Sequence, residues 1–268
     1  MVLGGGGLRG PFMAGVLSAF LESGIDYRFF DFYLASSSGA YCVAYFLTGR
    51  VDSHGLPAWR LLANQLIRFR YGAPFMDFKY VDWIVRDAEP FSTKIIRERN
   101  VPAYITISNI ETGKPEYVNI STADDPITLL KASCAMPLLS PPVLLGGRLY
   151  YDGTLTDPIP IHKAEAEGAK EIWLILAVPR GFCHSTILWK QVFKRSSQDP
   201  LVRQMIAQGV DVNNKALEKI EARDDLIVFR PDKKLPASLF RASRKSVDAC
   251  FEIGRNIGFR VLKEKKLI

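Results

Sequence analysis

Before residue 50 the chain turns two strand-to-helix corners, each built from small residues. At the first, Val2 and Leu3 run into GGGGLRG (residues 4–10). Apolar side chains then recur at Met13, Val16, Leu17, Phe20 and Leu21, a helical spacing. Pro11 suits the first turn of that helix and Gly24 its stop. At the second, the aromatic and apolar run RFFDFYLA (28–35) predicts a buried strand, and SGAYCVAYFLTG (38–49) a second helix ending near Gly49. Between them sits ASSSGA (35–40). Strands and helices that alternate in this way build a mostly parallel sheet covered by helices, an α/β fold.

The rest of the chain keeps that alternation. VPAYITISNI and KPEYVNIS flank the turn signal ETGK and predict a hairpin. DPITLLKASCAMP predicts a helix running to Pro137, RLYYDGTLTDPIP a strand entering a polar loop, HKAEAEGAK a short helix, and EIWLILAVP and DLIVFRP two more strands. Residues 64–91 hold Phe69, Tyr71, Phe75, Phe78, Tyr80, Trp83 and Phe91 among prolines and glycines, which predicts short helices and loops. With no repeat, linker or low-complexity tract, 268 residues are expected to form one domain, 180–268 being its mainly helical, basic part.

Composition narrows the function classes. At 48% hydrophobic and 24% charged residues the chain has a soluble globular profile, and no apolar run approaches the length of a membrane span. MVLGGGG lacks the charged and apolar regions of a signal peptide. Cys42, Cys134, Cys183 and Cys250 lie far apart without paired spacing, which argues against zinc or disulfides and for a reducing compartment, hence a cytoplasmic address. The net charge of +7 is concentrated late: residues 180–268 carry 19 Lys and Arg against 10 Asp and Glu. Such a surface can draw the protein to anionic membranes or nucleic acid. Acidic residues interleave with the basic ones, so a solvated surface is the expectation and nucleic acid is not an expected partner.

The glycine corner lets the backbone aim N–H groups at one point beside a helix N-terminus, where an anion or a developing oxyanion can be held. Gly5, Gly7 and Gly10 also satisfy the dinucleotide pattern G-x-G-x-x-G, but the second strand ends in Ala35 and serines rather than in the acidic residue that a ribose would require. At the serine corner, a nucleophile elbow tolerates only small residues two positions to each side. Centring it on Ser37 places Ala35 and Gly39 there, whereas Ser36 would have Leu34 and Ser38, and Ser38 would have Ser36 and Ala40. Ser37 is the candidate nucleophile. Ser36 or Ser38 is then available as the helix N-cap.

A serine nucleophile needs a base. Of the histidines, His162 opens a helix of ordinary surface composition, and His54 and His184 fall in loops. A Ser-Asp-His order using His162 or His184 stays open. Asp152, in the DGT that follows RLYY, can reach the carboxyl edge of the sheet where the serine corner lies, and it is the candidate base.

GGGGLRG, the corner at Ser37, ASCAMPLLSPP and DGTLTDPIP resemble, in order and spacing, the blocks of patatin-like phospholipases. The resemblance covers residues 1–180 and, more loosely, the C-terminal helices. It implies a three-layer α/β/α sandwich and an acyl-ester hydrolase with a Ser–Asp dyad, needing neither histidine, metal nor cofactor. Ser37 would be the nucleophile and Asp152 the base, with Gly5, Gly6, Gly7 and the nearby Arg9 forming the oxyanion hole. Ala35 replaces the first elbow glycine of the family, and Thr154 stands where a smaller residue is usual and is expected to crowd the base. The short strand before Gly4 suggests an N-terminal extension beyond this sequence.

The aromatic segment 64–91 is a candidate wall for an acyl chain, with ordinary core packing as the plainer reading. SLFRASRKSVDACFEIGRNIGFRVLKEKK predicts an amphipathic helix with basic edges, able to lie on an anionic membrane or to dock on its own domain. The expected function is lipid acyl-ester hydrolysis, the expected partner an acyl-ester substrate. Alternatives are a non-catalytic lipid- or partner-binding protein on the same fold and a dinucleotide-binding oxidoreductase.

Overall fold

The computed structural model describes residues 1–70, 73–185 and 199–268. In chain order, β1 (Val2–Leu3) leads through a 3-10 turn into α1 (Gly10–Glu22), and β2 (Tyr33–Ser36) turns directly into α2 (Ser38–Thr48). An excursion follows: α3 (Leu56–Leu62), a hairpin of β3 (Ile67–Arg70) and β4 (Ala73–Met76), α4 (Phe78–Trp83) and α5 (Thr93–Arg99). The chain then forms β5 (Ala103–Asn109), β6 (Pro115–Asn119), α6 (Pro126–Cys134), β7 (Val143–Leu145), β8 (Arg148–Asp152), α7 (Ile161–Ala166) and β9 (Trp173–Ile175). It closes with α8 (Pro200–Glu221), β10 (Ile227–Phe229) and α9 (Arg244–Glu264).

The main sheet has eight strands in the order β10-β9-β1-β2-β5-β8-β7, with β6 also on β5. Strands β10, β9, β1, β2 and β5 are parallel, and β6, β7 and β8 pair antiparallel. Alternate side chains of the central strands enter different cores, as a two-residue period requires. Leu3, Ala35, Ile175 and Phe229 meet Phe12, Val16, Phe46 and Phe251 of α1, α2 and α9. Val2, Leu34 and Leu174 point the other way, onto Ile161 and Ala164 of α7 and Leu217 and Ile220 of α8. The result is a three-layer α/β/α sandwich.

The apolar face of α9 is spent inside the protein. Val247, Cys250, Phe251, Ile257 and Leu262 are buried. A Cβ on Gly254 would lie 2.0 Å from the Phe12 carbonyl oxygen, and one on Gly15 2.0 Å from that of Phe251, so α1 and α9 cross backbone against backbone. Of the two expectations for this helix, docking on its own domain is the one the fold uses.

Elsewhere the elements are trimmed or added. Of RFFDFYLA only Tyr33–Leu34–Ala35 joins the strand, because Asp26 accepts from the Arg28 N–H at 2.9 Å and holds the preceding residues in a turn. Helix α6 stops at Cys134 rather than Pro137: Ala135 is extended, and its carbonyl accepts from the Asp152 N–H at 2.8 Å. The hairpin β3–β4 lies where short helices and loops were expected. β7 is an added strand, paired to β8 across Gly146 and Gly147, both at positive φ.

Candidate active site

Strand register brings Ser37 and Asp152 together. Residues 104–108 of β5 pair with β6 along one edge. On the other edge β2 runs parallel to β5 as far as Ser36 opposite Thr106, and β8 arrives antiparallel with Asp152 opposite Ile107. The two strands approach head-on across adjacent residues of β5. The residue after β2 therefore meets the last residue of β8: Ser37 Oγ donates to Asp152 Oδ2 at 2.8 Å.

Ser37 occupies φ 53°, ψ −128°, a conformation side chains rarely adopt. It is held there by its surroundings. Its N–H donates to Ser133 Oγ at 2.8 Å, and that hydroxyl donates to the Thr106 carbonyl at 2.8 Å. Gly39 lies so close to β1 that a Cβ there would be 2.8 Å from the Gly4 carbonyl oxygen. This is the tight strand-to-helix corner expected from small flanking residues. Ala35 is fully buried between Leu3 and Ile105, so its methyl is accommodated.

The three serines have separate tasks, and neither neighbour caps the helix as expected. No side chain caps α2. Ser38 Oγ turns back to accept from the Gly6 N–H at 2.9 Å, and Ser36 Oγ donates to the Asp157 carbonyl at 3.1 Å. One serine anchors the glycine loop and the other the end of the DGTLTD loop, because both loops abut the same corner.

Asp152 is 1% exposed, and burial raises its carboxyl to about 6 against the opposing pull of its hydrogen bonds. Oδ1 accepts from the Thr154 N–H at 2.9 Å and the Thr154 hydroxyl at 2.8 Å. Thr154 thus steadies the Asp152 carboxylate where crowding was expected. Its methyl instead presses the glycine loop: a Cβ on Gly5 would be 2.4 Å from Thr154 Cγ2. The Cys134 thiol beside Ser37 and Asp152 is pushed up by burial and by the Asp152 carboxylate, which keeps it protonated.

In the glycine loop the Gly6 N–H is committed to Ser38, and the Leu8 N–H donates to the Leu239 carbonyl at 3.0 Å. Gly6 thus differs from the other expected donors in having its N–H already on a side chain. Among the described residues, no protein acceptor meets the Gly5 or Gly7 N–H. Gly7, at φ +55°, would put a Cβ 2.3 Å from the Leu239 oxygen, so only glycine fits. The buried Arg9 guanidinium donates through Nε to the Gly6 carbonyl at 3.1 Å and lies 5.5 Å from the Phe182 ring centre.

Among the described residues no histidine bonds to Ser37 or Asp152. His54 pairs with Glu89 at 3.0 Å, and His162 lies 3.1 Å from the Tyr117 hydroxyl, which donates to Asp157. His184, expected in a solvated loop, instead packs edge-on against Phe182, and desolvation with the nearby Arg9 lowers it to about 4.

Two pockets share Ser37 and Asp152. One is apolar, walled by Trp59, Leu62, Leu66, Phe78, Val81 and Ile84. The aromatic segment 64–91 contributes to it, though mainly through aliphatic residues. Phe91 is core, Tyr80 stacks on Trp83, and Tyr71 lies outside the described residues. The other pocket is more polar and is lined by Arg9, Thr154, His184 and Asn213. Ser133 and Asn213 were not singled out from the sequence, since each acts through a contact between distant segments, Ser133 on the Ser37 N–H and Asn213 on the Thr154 carbonyl; the Thr154 hydroxyl, two residues from Asp152, was read only for its bulk. Among the described residues, no cluster of three His, Cys, Asp or Glu side chains could hold a metal, and no helix is long and apolar enough to cross a membrane.

Comparison with known proteins agrees with this architecture. The family model described as "Patatin-like phospholipase" matches residues 1–165. The uncharacterized protein YjjU of Escherichia coli K12 is 28% identical over 222 residues, covering 75% of this chain and 59% of that protein. Lysophospholipase NTE1 of Eremothecium gossypii is 24% identical over 289 residues, 98% of this chain and 18% of that protein. The chain thus spans less than two thirds of the length of either relative. Among solved structures, VipD from Legionella pneumophila shares the fold with a TM-score of 0.54 at 12% identity, over 98% of this chain and 66% of that one.

Proposed function

This chain belongs to the patatin-like phospholipase family, whose membership supports lipid acyl hydrolysis in general, and we propose that it cleaves acyl esters by a Ser37–Asp152 dyad. The observation that carries this reading is the 2.8 Å hydrogen bond from Ser37 Oγ to a buried carboxylate at the junction of the two pockets. Ser37 Oγ attacks the ester carbonyl carbon while its proton passes to Asp152 Oδ2. The carbonyl oxygen takes the electron pair and is met by the N–H groups of Gly5 and Gly7 and the N-terminus of α2. Collapse expels the alcohol, which leaves with the proton from Asp152, and the acyl group stays on Ser37. Water then repeats the sequence, with Asp152 again accepting a proton. A carboxyl raised to about 6 is a stronger base than an ordinary aspartate and still ionised at neutral pH.

The apolar pocket suits the acyl chain and the polar one the leaving alcohol. A dinucleotide reading is disfavoured by the space over the glycines: Leu239 covers Gly7 and Thr154 covers Gly5, where a pyrophosphate would need to lie. The test is labelling with a fluorophosphonate, followed by peptide mapping. The label is expected on Ser37, and Ser37→Ala should abolish both labelling and hydrolysis of 4-nitrophenyl octanoate. Label on Ser36 or Ser38, or an active Ser37→Ala variant, would overturn the dyad.

A further inference from the structure

Arg9 is 8% exposed, yet among the described residues no carboxylate pairs with its guanidinium. Its single acceptor is the Gly6 carbonyl, reached through Nε, which leaves the two terminal nitrogens without a protein acceptor. Desolvation lowers this arginine to about 10, the mark of a buried cation whose charge the protein does not balance. It lines the polar pocket beside Ser37.

The rest of that pocket explains which anion would complete it. Among the described residues the one acidic side chain on its wall is Asp152, and both carboxylate oxygens are already taken by Ser37 and Thr154. His184 is neutral at physiological pH and offers hydrogen bonding without charge. It is fixed in place by Asn214, whose Oδ1 accepts from the His184 N–H at 2.8 Å while Nδ2 donates to the His184 carbonyl at 3.1 Å. The wall therefore has a forked donor for a phosphate and no spare carboxylate for an ammonium group.

Resting on the hydrolase reading above, we propose that the leaving-group pocket selects acyl esters whose head group is a phosphate without a balancing cation, with Arg9 as its receptor. Acidic lysophospholipids such as lysophosphatidylglycerol fit this description, whereas choline or ethanolamine esters bring an ammonium with no partner and monoacylglycerols bring no anion. A charge-assisted contact of this kind is worth about 1.5–3 kcal/mol, or about 10- to 100-fold in kcat/KM.

The experiment compares octanoyl lysophosphatidylglycerol, octanoyl lysophosphatidylcholine and monooctanoylglycerol below their micellar concentrations, so that the net charge of +7 does not act through a lipid surface. The wild type should prefer the first by about tenfold or more over both others. Arg9→Gln should bring the three values of kcat/KM close together, and Arg9→Lys should keep part of the preference. Sn-glycerol 3-phosphate should compete with 4-nitrophenyl octanoate where glycerol does not, a measurement that needs no variant. Equal rates on the three lipids, with Ser37-dependent cleavage of the nitrophenyl ester intact, would overturn the head-group assignment alone. A parallel fall on all three in Arg9→Gln would also overturn it. So would inhibition by inorganic phosphate without any lipid preference, which would mark a free-anion site. Loss of Ser37-dependent cleavage of every ester would sink the hydrolase reading and this inference with it.

Discussion

Asp152→Asn should inactivate the protein and make it more stable. The carboxylate is buried, and its pKa is raised from 3.8 to about 6 because the fold desolvates the charged form more than Ser37 and Thr154 compensate it. Between those two values the native state binds more protons than the unfolded chain, so stability falls as pH rises through the window and the full penalty applies above it. A shift of roughly two units corresponds to about 3 kcal/mol at pH 7.5 as an upper bound. Asparagine removes the charge and can keep every contact: Oδ1 still accepts from both Thr154 donors, and the Ser37 hydroxyl turns to accept from Nδ2. For 268 residues, 3 kcal/mol corresponds to a rise in Tm of about 5 °C. Calorimetry on the wild type and Asp152→Asn at pH 7.5 and pH 4, with esterase rates on the same samples, checks both halves. The expected result is a Tm rise at pH 7.5 that largely disappears at pH 4, with hydrolysis reduced by about 10²-fold or more. A variant no more stable than wild type at pH 7.5 would refute the desolvated base, and an active one would refute the dyad.

Thr154→Ala removes a hydrogen bond that holds the Asp152 carboxyl down, so the acid limb of the pH–rate profile should move upward from about 6; an unmoved limb would exclude that role. Ala35→Gly should retain turnover while losing about 1 kcal/mol of stability, since glycine weakens a strand interior, whereas Ala35→Val should cripple labelling by a fluorophosphonate because residue 35 is fully enclosed between β1 and β5. His54→Gln with His162→Gln should leave hydrolysis of a soluble ester within about twofold of wild type, the range of surface substitutions, as read by steady-state kinetics; a collapse would restore histidine as the base. Gly254→Ala should destabilise by several kcal/mol, about 3 or more, because a Cβ would lie 2.0 Å from the Phe12 carbonyl in a helix crossing without room to relax; chemical denaturation reads the loss directly.

The sequence by itself determined the two corners. Glycines 4–7 and 10, and Ala35 and Gly39 around Ser37, leave the backbone few other ways to join strand to helix, so the α/β class and the candidacy of Ser37 among three serines follow from local sterics. Asp152 was legible as the end of an apolar strand. The tertiary structure alone decided what those residues do to one another. Nothing local tells that β2 and β8 approach head-on along β5, that Ser38 takes the Gly6 N–H, or that among the described residues no carboxylate pairs with the buried Arg9. Those facts depend on register and burial, which are set by contacts between segments 32 to 115 residues apart. The pKa of Asp152 and the unbalanced charge of Arg9 exist only once the chain has excluded water from both.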